Sequence, residues 1–350
     1  EDEEASLWMK LNTITYDVQY KLNPENDLKW VFAVQGLNQE NTNYGEEELI
    51  PDANTNDIGA YMAVNFSKEK HNLQAGVRFD NRNIKTSDFS NNYSSFNGSL
   101  GYKYDYNDAF KIRLNLASGF RAPNLAELAS DGVHHGSNRY EIGNQNLESE
   151  QNVQIDLNLS LDTDHYELYM NGFYNYINNY IYLDQTDQTI DGFTVYNYTQ
   201  NNAKLYGGEA GIHIHPHPYD WFHFESNYQI VVGELYDGSA LPFIPPGKWD
   251  NTLRFEFDSG KTLKKPFVAL NYEYNFAQER VSGLETATPS YGLLNFNSGL
   301  LWQFSGAKLG ANFNILNILD TAYIPHLSRF KEFGINNPGR SFMLGLNLNI

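Results

Sequence analysis

The feature that most constrains this chain is a strict alternation of apolar and polar residues over many segments. In "VQIDLNLSLD", residues 153–162, every second residue from Val153 to Leu161 is apolar and the residues between are polar. The segment "SFMLGLNLNI", residues 341–350, repeats the pattern from Phe342 to Ile350. Successive side chains of a strand point to opposite faces, so a period of two predicts β-strands with one apolar and one polar face.

Composition narrows the class of protein further. Aromatic residues make up 15% of the chain, which predicts a folded protein, and the mean hydropathy of −0.54 predicts that one side of it faces water. The net charge is −19 and the cationic residues are scattered, so we expect no nucleic-acid partner. There are no cysteines, which excludes disulfides and thiolate metal sites. No run of about 18 apolar residues occurs, so a membrane-spanning form of this chain must be a barrel.

The alternating pattern predicts roughly fifteen strands, joined by connections that are alternately short and long. The predicted strands lie near 6–20, 28–40, 55–66, 71–84, 93–105, 109–118, 147–162, 165–182, 193–216, 221–234, 248–258, 266–278, 290–304, 307–318 and 340–350. The predicted long loops are 41–54, 85–92, 119–146, 183–192, 235–247, 279–289 and 319–339. Short turns at one rim and long loops at the other are typical of transmembrane β-barrels.

A soluble antiparallel sheet also alternates, because one face packs on a core and the other faces water. Strand length argues against it, since many segments exceed the ~5–6 residues usual in soluble sheets, whereas ~9–11 tilted residues cross a bilayer. Tyrosine and phenylalanine also gather at strand ends, as in "YNYINNYIYL", where an interfacial aromatic girdle is expected. We therefore predict an all-β, antiparallel transmembrane β-barrel with a polar lumen.

Two separate motifs resemble TonB-dependent outer-membrane receptors. The first is "GFRAPNLAEL" followed by "GVHHG" and "RYEIGNQNLESE", and the second is the C-terminal segment with "NILD" and "PGR" before the last strand. The resemblance implies a barrel of about 22 strands filled by an N-terminal plug. It also implies uptake of scarce nutrients, energised by the TonB complex of the inner membrane.

No plug is recognisable, and the predicted strands are fewer than the resemblance implies. Residues 1–350 are therefore expected to be the C-terminal portion of such a barrel, with no second domain. Because the last strand must end at the periplasmic rim, counting backward places Glu1 to Ala5 in an outer loop, after a cut or gap there. Unpaired strand edges are not tolerated in lipid, so a companion segment is expected to supply the plug and the remaining strands.

The densest group of ligand-type side chains lies in the predicted loop 119–146. It comprises His134, His135, Arg139, Tyr140 and Glu141. Imidazoles and a carboxylate suit zinc, copper, nickel or iron, which makes His134 and His135 the candidate metal ligands. Adjacent residues of an extended backbone point to opposite sides, however, so binding of an anionic or chelated ligand and plain loop architecture stay open.

Two further groups are weighed beside it. His326 and Arg329, with Lys331, lie in the last long loop and are expected to join the first group at the extracellular mouth. The histidines of "HIHPHP", His213, His215 and His217, sit at a predicted short turn, where ordinary turn architecture is favoured over a metal site. Arg121 and Glu127 are expected to brace their loop against the barrel wall.

The predicted function is energy-coupled import across the outer membrane of a Gram-negative bacterium. The expected cargo is a ferric siderophore or another metal complex, so that iron, zinc or copper is a substrate and no resident cofactor is expected. The alternatives are a free zinc or copper ion receptor of the same fold, and a passive channel or adhesin. Expected partners are membrane lipid and lipopolysaccharide, the plug and remaining strands, and the TonB complex. No nucleophile, base and acid are spaced as in an enzyme site, so no enzymatic activity is expected.

Overall fold

The computed structural model describes residues 8–25, 27–44, 49–134, 137, 139–257, 260–283, 285–304 and 306–350. Fifteen long strands dominate it: β1 Met9–Glu25, β2 Leu28–Asn43, β3 Ala53–Lys68, β4 His71–Lys85, β5 Ser90–Asp105, β6 Phe110–Arg121, β9 Glu150–Asp162, β10 Tyr166–Ile190, β11 Phe193–Ile214, β12 Phe222–Leu235, β13 Lys248–Glu256, β14 Leu263–Asn275, β15 Tyr291–Phe304, β16 Ala307–Leu316 and β17 Ser341–Asn349. Between β6 and β9 lie helix α1 Leu125–Ala129 and two short strands, β7 Asp131–His134 and β8 Arg139–Ile142. The predicted number of long strands is therefore confirmed.

The long strands form one antiparallel meander in chain order, with β6 pairing directly with β9. The order continues from β9 through β17 without a crossover. Within the described ranges, β1 pairs only with β2 and β17 only with β16, so the sheet is open at these two edges. The expected place of Glu1 to Ala5, and the start of the first predicted strand, lie outside the described residues.

The two faces of the sheet differ as the alternation predicts. One face carries large apolar side chains that are exposed, such as Phe96 at 69% and Leu344 at 71% of their full exposure. The other carries cross-strand polar pairs, such as Arg82 Nε to Asp57 Oδ1 at 2.7 Å. A soluble sheet would bury the apolar face. An outward apolar face and a polar inner wall are the arrangement of a membrane barrel.

The connections alternate in length, as predicted, with two exceptions. In place of the predicted long loop 85–92, β4 and β5 are joined by the short connection 86–89. The short connections at one rim are 26–27, 69–70, 106–109, 163–165, 215–221, 257–262 and 305–306, which we call the short-turn rim. The predicted loop 183–192 is wrong, because β10 and β11 continue through it as a hairpin. Its turn is Asp191 and Gly192, with φ of 50° and 85°. Two positive φ values favour a tight hairpin turn, so the polar composition marked an exposed ribbon instead of a loop.

The predicted irregular loop 119–146 is also partly ordered. Asn124 caps α1 by accepting from the Glu127 backbone N–H, while the Glu127 carboxylate accepts from the Asn124 N–H. This reciprocal capping box starts a helix of only five residues, too short for a periodic pattern to show in the sequence. No helix in the described part of the chain is long and apolar enough to cross a membrane.

A buried apolar cluster sits where this loop meets the sheet, at the rim opposite the short turns. Leu128 of α1 and Leu147 belong to one buried cluster with Ile84 of β4 and Ile181 of β10, and Leu128 and Ile84 are each 1% exposed. Burying a leucine or isoleucine side chain stabilises a fold by ~1.5–3 kcal/mol. The loop is therefore packed onto the sheet by its own hydrophobic core.

Candidate functional site

Arg121, the last residue of β6, ties the loop to the sheet. Its Nη1 lies 2.8 Å from both carboxylate oxygens of Glu127, and its Nη2 lies 2.6 Å from Glu150 Oε1. Glu150 also accepts from the backbone N–H of Ile181 at 2.7 Å. One guanidinium thus joins α1 to β9, and through Glu150 to β10. Its hydrogen bonds are charge-assisted, and such bonds are stronger than those between neutral groups. The expectation that Arg121 and Glu127 brace the loop is confirmed by these contacts.

The hairpin of β7 and β8 carries most of the predicted site residues and docks on the outer end of β11. Strand β8 runs parallel to β11, pairing Tyr140 with Val195. Val195 is fully buried in this contact. Residues 139–141 are therefore held on the outer part of the β10–β11 hairpin. This part extends past the length of strand that is needed to cross a bilayer.

Glu141 is the buried centre of this docking contact, at 4% exposure. Its Oε1 accepts from Arg139 Nε at 2.7 Å and its Oε2 from the Tyr198 hydroxyl at 3.0 Å. Burial, followed by the negative charge of Glu141, raises the pKa of Tyr198, so the phenol keeps its proton and donates. Both oxygens of Glu141 are thus occupied by protein donors.

The neighbours of Glu141 are partnered too. The Arg139 guanidinium lies 5.4 Å from the ring centroid of Tyr196, within cation–π range. The Tyr140 hydroxyl donates to Asp131 Oδ1 at 2.9 Å, across the β7–β8 hairpin. The hydrogen bond to Asp131 and partial burial raise the pKa of Tyr140. Arg139 and Tyr140 are both half-buried despite these contacts. Their ligand-binding role stays a prediction.

Of the two candidate metal ligands, only His134 lies within the described residues. His134 is half-buried at the tip of β7, and its Nδ1 contacts the Ser137 hydroxyl. His135 lies outside the described residues. Among the described side chains, no cluster of three or more metal-ligating groups contains His134. A direct metal site at His134 and His135 stays a prediction.

His326 lies deep in the loop 317–340, at 5% exposure. Its Nδ1 lies 2.8 Å from Thr288 Oγ1 and 3.2 Å from Lys331 Nζ, while its Nε2 lies 3.2 Å from Glu285 Oε1. Lysine has only donors, so Nδ1 must accept and the proton resides on Nε2, facing the carboxylate. Burial and the charge of Lys331 lower the pKa of His326, which favours this neutral form.

The two predicted outer groups are not brought together by direct contact. Between His326 or Arg329 and the group at 139–141, all of them within the described ranges, there is no hydrogen bond or ion pair. Arg329 is exposed, and exposed aromatic side chains lie near it along the loop, Phe330 at 59% and Phe333 at 72%. His326 organises the loop interior, whereas these three side chains face outward.

Several contributing residues were not predicted from the sequence. Glu150, Tyr198 and Glu285 each complete a buried contact from a distant part of the chain. Glu234 is similar, since it lies 2.7 Å from Lys204 Nζ on β11 and also pairs with Arg280, which fastens the loop 276–290. Glu150 is placed by the strand register, since it begins β9 directly opposite Arg121, and no signal in the sequence pointed to it.

Comparison with known proteins agrees with the geometry. The family model described as "TonB dependent receptor-like, beta-barrel" matches residues 4–318. Among solved structures, the copper transporter OprC superposes with a TM-score of 0.79 at 19% identity, covering 95% of this chain and 56% of that one. The FrpB iron transporter from Neisseria meningitidis (F3-3 variant) gives 0.74 at 14% identity, covering 97% and 55%. BauA, the ferric preacinetobactin receptor from Acinetobacter baumannii, gives 0.68 at 14% identity, covering 97% and 54%.

The chain belongs to the TonB-dependent receptor β-barrel family. Members of this family are β-barrels of the Gram-negative outer membrane, and they are transport proteins rather than enzymes. At these identities the solved structures establish the fold alone. The chain spans little more than half the length of the solved structures it matches.

Proposed function

We propose that this chain forms most of the barrel of an outer-membrane importer for a metal complex, bound by the long loops. The observation that carries the proposal is the ordered loop 122–149, which we call the loop platform, at the rim opposite the short turns. The loop 122–149 has its own apolar core, a capped helix and an arginine bridge to two mostly buried carboxylates, which plain connecting loops do not need. Binding surfaces are commonly built on loops that a rigid scaffold positions.

The proposed cargo is a ferric siderophore or a similar chelate. Arg329, Phe330 and Phe333 present an exposed cation beside exposed rings on the loop 317–340. A guanidinium pairs with carboxylate or catecholate oxygens, and aromatic rings stack on the flat parts of such ligands. We expect Arg139 and Tyr140 to contribute from the β7–β8 hairpin, with His134 and His135 as further contacts.

The proposed partners follow from the open sheet and its apolar face. Among the described residues, one side of β1 and one side of β17 pair with no strand, and we expect a further segment to pair with both, since bare backbone groups are costly in hydrocarbon. We expect that segment to include a plug that fills the polar lumen and contacts the TonB complex. The exposed apolar face is suited to lipid, and the outer rim to lipopolysaccharide.

The test is uptake by the full-length receptor, produced in a strain that lacks it. Radiolabelled iron on a panel of siderophores should accumulate in a TonB-dependent manner. The Arg329→Ala/Phe333→Ala variant should lower uptake about tenfold or more, whereas His71→Ala, at the short-turn rim, should leave it unchanged.

Three results would overturn the proposal. Uptake that persists without TonB would indicate a passive channel. Uptake of free zinc or copper that is abolished by His134→Ala/His135→Ala, with no siderophore transported, would indicate an ion receptor. Surface attachment without uptake of any compound would indicate an adhesin.

A further inference from the structure

Five of the nine histidines of the chain form one group at the short-turn rim, far from the loops proposed to bind the cargo and on other turns than His71. They lie on two neighbouring turns, 163–165 and 215–221, and on the strand ends beside them. The five are His165, His213, His215, His217 and His223. In the sequence they are spread over residues 165–223, and only the antiparallel pairing of β10, β11 and β12 brings them together.

The strand register explains the contact. His213 of β11 lies directly opposite Glu167 of β10 and Glu225 of β12. These side chains therefore share the polar face of the sheet. His223 is two residues from Glu225 on β12, which places it on the same face. His215 directly follows β11, and its ring centroid lies 4.8 Å from that of His213 and 6.3 Å from that of His223.

The distances are those of a compact ligand set. The ligand atoms of Glu167, His213 and His215 all lie within 4.8 Å of one another. His213 Nδ1 lies 3.6 Å from Glu167 Oε1. Around a tetrahedral zinc ion with Zn–N bonds of 2.0–2.1 Å, neighbouring ligand atoms are roughly 3.4 Å apart. The Glu167 side chain is 55% exposed, so it can swing inward over the remaining distance.

Hydrogen bonding leaves lone pairs available in this set. His213 Nε2 and His223 Nδ1 are 3.0 Å apart, so one of them carries the proton between them. When His213 Nε2 donates, its Nδ1 has no proton and faces the Glu167 carboxylate. Two acceptors then face each other, and a cation between them removes the repulsion of their lone pairs. His215 Nδ1 is buried and has no hydrogen-bond partner among the described residues. A buried imidazole nitrogen without a partner is costly, and a metal ion would satisfy it.

Flanking contacts hold the cluster in place. The His215 backbone N–H donates to the His165 carbonyl at 2.9 Å, and the His217 N–H donates to His165 Nδ1 at 3.3 Å. His217 is itself paired with Asp220. The nearest cation in the register, Arg254 opposite His223, is paired with Glu256 at 2.7 Å. It therefore does not compete with a metal ion for Glu167.

We propose that Glu167, His213 and His215 bind a divalent transition-metal ion at the short-turn rim, with His223 orienting His213 from behind. Imidazoles with one carboxylate select zinc, copper or nickel over magnesium or calcium. A hydrogen bond to the second ring nitrogen is the usual way in which a ligating histidine is oriented. The bound ion would fasten β10 to β11 at the end opposite the cargo loops, so the proposal stands apart from the proposed uptake.

The test is equilibrium binding of zinc, as ZnCl₂, to the full-length receptor in detergent. His134→Ala/His135→Ala serves as the background, so that the outer loop does not contribute. One zinc ion per chain should bind, and His213→Ala/His215→Ala should weaken that binding at least tenfold. Glu167→Gln should weaken it less. The matched control is His71→Ala, which removes a histidine from another turn of the same rim, where it stacks on Tyr102 and Tyr104.

Copper supplies a second readout that does not depend on affinity. The electron paramagnetic resonance spectrum of bound Cu²⁺ should show coupling to two nitrogens, and this signal should vanish in His213→Gln/His215→Gln. Heat-modifiable migration on gels establishes that each variant is folded. Undiminished zinc binding by the folded double variant would overturn the proposal, as would an equal loss in His71→Ala. Magnesium binding of the same strength as zinc would also overturn it.

Discussion

Arg121 Nη2 and Glu150 Oε1 lie 2.6 Å apart, and this ion pair joins the ends of β6 and β9 beneath the loop that runs between them. The second half of the same guanidinium holds Glu127 of α1. The carboxylates of Glu127 and Glu150 are mostly buried, whereas the arginine is 41% exposed. The loop platform therefore depends on one cation that screens two acidic groups from each other.

Arg121→Gln should loosen the platform without unfolding the barrel. The variant leaves two mostly buried carboxylates without their cation, and hydrogen bonds to charged groups contribute ~1.5–3 kcal/mol each. Partial exposure of Arg121 reduces that figure, so we expect a loss of about 1–3 kcal/mol. Faster amide hydrogen exchange over residues 122–149 is the measurement. The control is Arg329→Gln, an exposed arginine in another loop, and equal exchange in the two variants would contradict the prediction.

Gly143→Ala should displace the loop from α1. A Cβ at this position would lie 2.5 Å from the Ala129 backbone N and 2.7 Å from the Ser130 N, where no side chain can move aside. Overpacking of this kind costs ~1–3 kcal/mol. Protease cleavage within 122–149 should become faster in the variant. Gly283→Ala, in a loop position with open space around it, should cleave like the parent protein, and a similar rate for Gly143→Ala would refute the clash.

Acid should open the loop 317–340 through His326. The pKa of His326 is lowered by burial and by Lys331, against the weaker opposing pull of Glu285. The unfolded loop binds a proton near pH 6.5, whereas the folded loop resists it. The free energy of opening is therefore at its full value above pH 6.5, and it falls as the pH drops from 6.5 towards the lower folded-state pKa.

Amide exchange in 317–340, compared between pH 7.5 and pH 5 after correction for intrinsic rates, measures this opening. His326→Asn removes the titrating group and should abolish the pH dependence, while it weakens the loop at both pH values. A pH dependence that survives in the variant would assign the effect to another group. Burial also lowers the pKa of Lys331, and because His326→Asn leaves this lysine in place, the variant separates its contribution from that of His326.

Leu157→Arg should impair insertion of the barrel. Leu157 lies near the middle of β9 on the apolar face, where it is 44% exposed. An arginine facing lipid costs ~2–4 kcal/mol at the bilayer midplane and less near the interface. Gln154→Arg, on the polar face of the same strand, is the control and should fold normally. Refolding yield into lipid vesicles measures both, and a normal yield for Leu157→Arg would exclude a lipid-facing position.

The sequence by itself determined the architecture, because a local period of two records which environment each face of a strand meets. That pattern located fifteen strands, their two faces and the alternation of short and long connections. Arg121 and Glu127 were also expected to brace their loop, whereas the capped helix and the second partner of Arg121, Glu150, came only from the structure. The polar ribbon at 183–192 was misjudged because exposed hairpin strands and loops have the same composition.

Only the tertiary structure decided which distant side chains meet. Glu141 contacts Tyr198, His326 contacts Glu285, and Glu167 contacts His213, and the two partners of each pair are tens of residues apart in the sequence. Such contacts are set by the register of neighbouring strands and by how loops fold back on them, and neither leaves a periodic trace along the chain. The histidines of "HIHPHP" were expected to form an ordinary turn because they sit at a predicted short turn. Glu167 and His223 become their neighbours only in the folded sheet.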